Sequence, residues 1–495
     1  MLATTNRSDS WSQLAADTLD VLVIGGGIVG AGVVRDAAMR GLQVGLIDQQ
    51  DFAEGTSSRS SRLLHGGLRY LEQWRVFLVR EASLEKKIVH HIAPHLSRPM
   101  RFVFPAYRGQ GRPLWQLRIG VKLYDLLCGG RNFQPSCGMS RKETLQQLPA
   151  LRSEGVTGAA CYFDALTNDA RLVIDSLRSA ENYGATLLNY ARLDDARREG
   201  NEWVCQTTDQ ETGRSHIVRA KSIVNATGPW ADRLHQSDVK LRLSKGIHIV
   251  IDHTRLPVPS AVVITEGSRI LFVIPWGERV IVGTTDTDYD GAPEDVHPTA
   301  DDVAYVLRTL NEFFPATDIK QSDIVATWAG LRPLIADPNG SPSDISRAHQ
   351  IRCPEPAWWD VAGGKLTTYR LMAEQTIDQI ARHLSIKVEP CRTATETLLP
   401  DAESFSGIEP APWTKQAVEY FVTEEWATHL DDVLVRRSGW HRHDRLSRQQ
   451  VEEVAGWMAA FLEWTNEQRT AEVNATLKKL ELETSEAWRT VEAHT

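Results

Sequence analysis

Cysteine is scarce in this sequence, with six in 495 residues, at positions 128, 137, 161, 205, 353 and 391. No two have the spacing of a zinc ribbon or a thioredoxin-type motif, so no metal site is expected. So few cysteines in so long a chain point to free thiols in a reducing compartment. Long apolar runs are missing as well. None approaches the roughly 18 residues needed to cross a bilayer, which argues against an integral membrane protein. Positive charge is in the minority, 55 Lys and Arg against 64 Asp and Glu, for a net charge of −9. That balance argues against a dedicated nucleic-acid binder. No internal repeat or low-complexity tract is present. The first 18 residues are polar, lack the apolar segment of a secretory signal, and are expected to be a disordered lead-in.

Apolar residues make up 42% of the chain and charged residues 24%. That composition can bury a large core, and the length suggests about three domains at roughly 150 residues each. Three stretches differ from the rest. Residues 98–142 are strongly basic. Residues 252–300 are rich in Pro, Val, Ile and Thr with strand-like runs. After a Pro- and Gly-containing joint at 400–412 the pattern turns helical, with candidate helices at 413–429 and 447–464. Trp413, Trp426, Trp440, Trp457, Trp464 and Trp488 fall in this last region, where they read as helix-packing anchors.

The first chemical signal is at the N-terminal end. DVLVIG (20–25) is a β-branched apolar run and reads as a buried parallel strand. GGGIVG follows at once and supplies G-x-G-x-x-G as Gly25, Gly27 and Gly30. An amphipathic helix to about Arg40 comes next, then a second strand, QVGLID (43–48), ending in Asp48. This is a complete βαβ dinucleotide-binding unit. The glycines permit a tight turn and close approach to a pyrophosphate, which the helix N-terminus faces with its positive end. Asp48 is placed to accept ribose hydroxyls. This unit alone does not separate NAD from FAD.

Further motifs narrow the choice. TSSRSSRLLHGGLRYLEQ spans 56–73, NATGPW 225–230, KGIHIVI 245–251, IPWGERVIVGTTDTDY 274–289, WAGLRPL 328–334 and GGKLTTYR 363–370. Together, over about residues 18 to 385, they resemble the flavin-dependent, quinone-reducing, membrane-associated glycerol-3-phosphate dehydrogenases. The resemblance implies an α/β + α architecture. An FAD-binding Rossmann-like domain of the glutathione-reductase-2 or D-amino-acid-oxidase type would occupy 18–105, 160–240 and 325–385. An inserted antiparallel β-sheet substrate domain would occupy 106–159 and 241–324. A shortened C-terminal helical domain would occupy 400–495, with DDVLVRRSGW (431–440) resembling one of the family's C-terminal motifs.

FAD is long and must be held at separated points, which an NAD enzyme does not need. Ser57, Ser58, Ser61 and the His65–Gly66–Gly67 turn are expected on the flavin side. Thr227 and Gly228 offer a second close-backbone point near the pyrophosphate. Gly363 and Gly364, with Lys365, Leu366 and Thr367 opening a helix, bring another positive helix end toward the flavin.

An anionic polyol phosphate needs cations that can fork onto phosphate oxygens. The resemblance makes Arg69, Tyr70 and Arg347 substrate and phosphate holders and puts Lys365 at the junction of flavin and substrate. His248 is the leading proton acceptor, because imidazole titrates near neutral pH. Its neighbours Ile247 and Ile249 are expected on the opposite face of a strand. His65 is the second candidate base, though its place in HGG suits a flavin wall better. Arg332 is expected to steady the developing alkoxide. Thr284 or Thr285 of GTTD is expected to add a hydroxyl contact to substrate.

Residues 98–142 carry nine Lys and Arg against one acid, Asp125. The embedded RPLWQLRIGVKLYDLL (112–127) has the composition of a helix lying in an anionic membrane surface. The expected activity is oxidation of sn-glycerol 3-phosphate to dihydroxyacetone phosphate, with electrons passed from FAD to a membrane quinone. The expected location is the cytoplasm, peripherally on the inner face of the cell membrane, with a homodimer left open and no nucleic-acid partner. Three other readings compete. One is a glycerol-3-phosphate oxidase using O₂, and another is an amino-acid or 2-hydroxy-acid oxidase of the same fold. The third is a non-catalytic flavoprotein module, for example a tRNA-associated one, which the net charge and the retained cations disfavour.

Overall fold

The computed structural model describes residues 7–129, 132–267, 269–336, 349–399 and 405–483. Two sheets organise them. The strand Leu19–Ile24, almost wholly buried as its β-branched run requires, lies at the centre of the first. It pairs in parallel with Val44–Ile47 on one side and Ser215–Asn225 on the other. Trp358–Ala362 and Thr186–Leu188 extend the parallel set outward. The helix Ile28–Met39 follows the first strand and is buried along nearly its whole length, Arg35 and Asp36 included, rather than presenting one exposed polar face. It packs with helices Asp169–Asn182 and Tyr369–Leu384 over this sheet.

The second sheet has ten strands among the described residues and is mostly antiparallel. Its long strand Leu241–Asp252 runs between Ile324–Ile335 and Arg279–Gly283. The expected alternation holds. Ile247, Ile249 and Ile251 enter a core shared with Val303, Val306 and Leu310 of helix Ala300–Phe313, whereas Val250 joins Trp328 in a different cluster. Ser97–Tyr107, Val156–Thr167 and Ile324–Ile335 all belong to this second sheet. Residues 97–105, 160–167 and 325–335, which the sequence division gives to the FAD-binding domain, therefore pair within the second sheet. Each of these strands is matched along its length by a neighbour in the second sheet, from Ser97↔Thr167 to Tyr107↔Val156 and from Leu241↔Ile335 to Ile251↔Ile324.

The N-terminal lead-in is not disordered over its described part. Arg7–Ala16 is a helix, because Trp11 and Leu14 find buried sites and Trp11 stacks on His216. Arg7 then anchors it, with hydrogen bonds to the Asn189 and Tyr190 carbonyls and to Asp209.

The basic stretch contains the expected helix, Leu114–Leu127, which buries Leu117, Val121 and Tyr124. Trp115, Ile119, Leu123 and Leu126 project from the other side, and Trp74 and Phe77 are exposed on the adjoining turn and helix, at 87% and 89%. Much of the positive charge is spent internally. Arg98 pairs with Glu409, Arg112 with Glu72, and Arg118 and Lys122 donate to the Met139 and Ser136 carbonyls. Among the described residues no helix is long and apolar enough to cross a membrane.

The predicted C-terminal helices appear as Lys415–Glu424 and Arg448–Leu462, followed by Asn466–Glu483. Trp413, Trp440 and Trp457 pack on one another and Trp426 meets Phe52 edge-on; Trp488 lies outside the described residues. The DDVLVRR segment ties this domain to the first sheet. Arg436 and Arg437 are buried and both close on Asp51, just past the second strand.

Candidate active site

The cofactor cleft lies at the carboxyl ends of the parallel strands. It encloses about 320 Å³. Gly25, Gly27, Asp48, Ser57, Thr227, Gly228, Gly363, Gly364, Lys365 and Leu366 line it, as the motifs lead one to expect. Gly25 adopts φ +106°, and a Cβ there would press on the Ala226 carbonyl. A Cβ on Gly30 would collide with the Gly25 carbonyl oxygen, so glycine is required for the turn to close. Gly27 caps helix Ile28–Met39 without a side chain, and Ser57 Oγ accepts from the Ile28 N–H at 3.0 Å. Asp48 accepts from the Gly26 and Gln50 N–H groups at 2.6 and 2.9 Å. Burial pushes its carboxyl up to about 7 against these two hydrogen bonds, with Asp51 and Glu54 adding to the rise. Glycine cradle, helix N-terminus and terminal acid together fit a dinucleotide. The second glycine pair, at φ +73° and +78° on the far wall, fits the extra length of FAD.

Of the remaining predicted cofactor residues, His65 and Thr367 clasp each other. The His65 N–H donates to Thr367 Oγ1 at 3.1 Å, and that hydroxyl donates to the His65 carbonyl at 3.2 Å. This clasp joins the HGG turn to the GGKLTT segment, some 300 residues away in the chain. The Gly66 N–H donates to Tyr124 Oη. Gly67 adopts φ +79°, and a Cβ on it would crowd Tyr70 and Lys365. Ser58 is buried in the turn before this segment. Ser61 goes elsewhere: its Oγ lies 2.8 Å from His248 Nε2.

The substrate candidates gather on one face of the second sheet and beside it. His248 is opposite Trp328, and Ser244 opposite Arg332, across the strands Leu241–Asp252 and Ile324–Ile335. The His248 ring stacks on Trp328 at 5.1 Å between centroids and 20° between planes. Burial lowers His248 to about 3, reinforced by the charges of Arg332, Arg62 and Arg442, so the ring does not titrate near neutral pH as its residue type leads one to expect and stays neutral there. Arg332 donates to Thr284 Oγ1 at 2.9 Å, to the Thr285 carbonyl at 3.1 Å, and at 3.3 Å to Ser244 Oγ and Asp286. The neighbouring Pro333 lines the cleft. Lys365 Nζ sits 3.9 Å over the Tyr70 ring, where a cation–π contact holds it at the cleft wall. Arg69 is exposed on the same turn. Thr285 is buried, and its hydroxyl accepts from the Ile247 N–H at 3.0 Å, so within GTTD it is the Thr284 hydroxyl that faces Arg332. Arg347 lies outside the described residues.

Several contributors escaped the motifs. Tyr124 and Arg442 reach the site from outside the site motifs, and Arg62 and Trp328 stand inside motifs without having been singled out. Arg62 lies 4.3 Å from the Trp276 ring centroid and 5.8 Å from that of Trp328. Arg442 belongs to the C-terminal domain, yet it lies 5.4 Å from the Trp328 centroid and donates to the Thr327 carbonyl. Trp328 stands inside WAGLRPL, so its aromaticity was available as a signal.

A parallel dinucleotide sheet joined to a second, mostly antiparallel sheet that carries the reacting groups defines a flavoprotein oxidoreductase, and residues 20–359 match the FAD dependent oxidoreductase family (DAO). Aerobic glycerol-3-phosphate dehydrogenase of Staphylococcus aureus is 38% identical over 405 residues, which cover 79% of this chain and 73% of that protein. The chain belongs to the FAD-dependent glycerol-3-phosphate dehydrogenase family. The glycerol-3-phosphate dehydrogenase of Bacillus halodurans, solved with FAD, superimposes with a TM-score of 0.80 at 29% identity, covering 98% of this chain and 99% of that one. An L-α-glycerophosphate oxidase of Mycoplasma pneumoniae shares the fold, with a TM-score of 0.62 at 17% identity over 78% of this chain and 100% of its own.

Proposed function

We propose that the protein oxidises sn-glycerol 3-phosphate to dihydroxyacetone phosphate and delivers the electrons to a membrane quinone. The observation that carries this reading is the placement of His248 and Arg332 on one sheet face, four register positions apart, with Arg332 next in sequence to Pro333 of the cleft wall. Bound FAD supplies the hydride acceptor. His248 takes the proton of the C2 hydroxyl. Arg332 faces the oxygen as charge develops on it, and its fixed hydrogen bonds to Thr284 and Thr285 preorganise it for that task. Lys365 and Arg69, with Tyr70, supply positive charge and a hydroxyl for the phosphate, and Arg347 joins them in this reading. The exposed apolar side of helix Leu114–Leu127, with Trp74 and Phe77, supports peripheral docking on the inner face of the cell membrane, where a quinone resides.

Anaerobic mixing of the holoenzyme with sn-glycerol 3-phosphate tests the reading. The flavin band is expected to bleach, and a quinone analogue is expected to restore it faster than O₂. An unbleached flavin rejects the substrate; rapid reoxidation by O₂ with stoichiometric peroxide identifies an oxidase instead. His248→Asn is expected to bind FAD normally and to turn over slowly.

A further inference from the structure

The sequence motifs put Ser61 on the flavin side, and the fold sets its hydroxyl on His248. The backbone on either side of Ser61 is pinned. The Ser60 N–H donates to Asp169 Oδ2 at 2.9 Å, and the Ser60 carbonyl accepts from Trp328 Nε1 at 3.2 Å. The Arg62 N–H donates to Ser60 Oγ at 3.0 Å, and the Arg62 carbonyl accepts from the Thr167 N–H at 2.8 Å. Trp328, held by Ser60, is also the ring stacked on His248. Ser60, Ser61, His248 and Trp328 therefore form a closed circuit of contacts. A flip of the imidazole would set Cε1 against the Ser61 hydroxyl and lose the hydrogen bond.

A neutral imidazole carries one N–H and one lone pair, and the partner of one nitrogen decides which nitrogen is bare. His248 Nε2 has Ser61 as its partner. Nδ1 is buried and has no hydrogen-bond partner among the described residues. Burying a polar atom without a partner is costly, so such an atom calls for a reason, and a ligand that reaches it supplies one.

We propose that Ser61 is a positioning residue for His248, accepting the Nε2–H so that Nδ1 is the bare nitrogen that takes the substrate's hydroxyl proton. This rests on the reading of His248 as the proton acceptor. As the C2 hydroxyl O–H bond breaks, the Nδ1–H bond forms. The C2 hydride leaves to the flavin, and the C2 oxygen becomes the carbonyl. The resulting imidazolium keeps its Nε2–H on Ser61 throughout, so Ser61 gains and loses no proton.

The test compares Ser61→Ala, His248→Gln and the double variant as holoenzymes, with the rate read as single-turnover bleaching of the flavin. FAD dissociation constants are measured separately by reconstitution of the stripped proteins. Ser61→Ala is expected to slow bleaching by about 10- to 100-fold, within the usual range for a misaligned general base. KM and the FAD dissociation constant should stay within about twofold, a margin well under the tenfold that 1.4 kcal/mol represents. In the His248→Gln background the same change should cost nothing further, because the group it serves is gone. Wild-type bleaching in Ser61→Ala, or losses that multiply in the double variant, overturns the role of Ser61 and leaves His248 in place. Weakened FAD binding with the bleaching rate retained returns Ser61 to the flavin and also overturns it. Near-wild-type bleaching in His248→Gln removes the base reading itself, and this proposal with it.

Discussion

The Gly66 N–H donates to the Tyr124 hydroxyl at 2.8 Å, which ties the HGG turn to the helix bearing the exposed apolar face. The same hydroxyl donates to Asp164 Oδ1 at 2.5 Å, and Asp164 accepts from the buried Lys86 at 2.8 Å. The phenol thus uses both its proton and a lone pair. Burial, with Asp164 adding to it, pushes its pKa far up, so it remains a donor. Tyr124→Phe leaves a buried N–H and a carboxylate short of one partner each, an expected loss of ~1–3 kcal/mol in stability. Denaturant unfolding of the holoenzyme checks this, and an unchanged midpoint rules it out.

The contact of Asp51 with Arg436 and Arg437 fastens the C-terminal domain to the loop whose continuation, Glu54 to Ser57, lines the cofactor cleft. Asp51→Ala strips two buried guanidinium groups of a shared carboxylate. Breaking a buried pair from one side costs roughly 3–5 kcal/mol. The variant is expected to melt earlier and to shed FAD on gel filtration. Full flavin retention at a wild-type melting temperature contradicts the coupling.

Arg332→Ala is expected to raise KM and to lower kcat by about 100-fold, the usual cost of one lost oxyanion donor. Arg332→Lys should recover little, because an ammonium cannot reproduce the forked hydrogen bonds to Thr284 Oγ1 and the Thr285 carbonyl. Steady-state kinetics with a soluble quinone analogue decide the point, and a variant with both constants unchanged removes Arg332 from the reaction.

His248 gives stability a definite pH dependence. Its pKa is lowered from 6.5 to about 3 in the folded protein, by burial first and then by Arg332, Arg62 and Arg442. The unfolded chain therefore binds this proton before the folded one does. The contribution of the neutral ring is fully present above about 6.5 and is lost as pH falls from there toward 3. Compared with His248→Gln, the wild-type melting temperature should drop more steeply between about pH 7.5 and about pH 5. Parallel curves for the two proteins count against the lowered pKa.

Trp115→Ser with Ile119→Ser removes two exposed apolar side chains while leaving Leu117, Val121 and Tyr124 in the core. Sedimentation with anionic liposomes should fall at least tenfold, since each large apolar side chain contributes on the order of 1.5–3 kcal/mol when buried. Turnover with a soluble acceptor should be unaffected. Unchanged sedimentation removes this face as a membrane-docking surface.

The glycine turn, Asp48, the second glycine pair and the strand carrying His248 were legible because each depends on local chemistry. A β-branched run, a glycine where no Cβ fits, and an alternation of buried and facing residues are all written in neighbouring positions. Division of the chain between the two sheets was less legible. Residues 97–105 and 160–167 look like any buried strand, and only their pairing partners place them in the second sheet. The N-terminal helix was missed for a similar reason: ten largely polar residues carry little helix signal, and His216 and Asp209 hold it from far away in the chain.

Sequence alone determined the cofactor and the family, because those rest on short motifs whose chemistry is complete within a few residues. Tertiary structure decided what each group touches. It set Ser61 on His248, put the Thr284 hydroxyl and the Thr285 carbonyl on Arg332, and brought Arg442 from the last domain to the Trp328 ring. Such contacts join residues up to 187 positions apart, and in a close-packed interior they are fixed by how the sheets and helices stack rather than by local spacing.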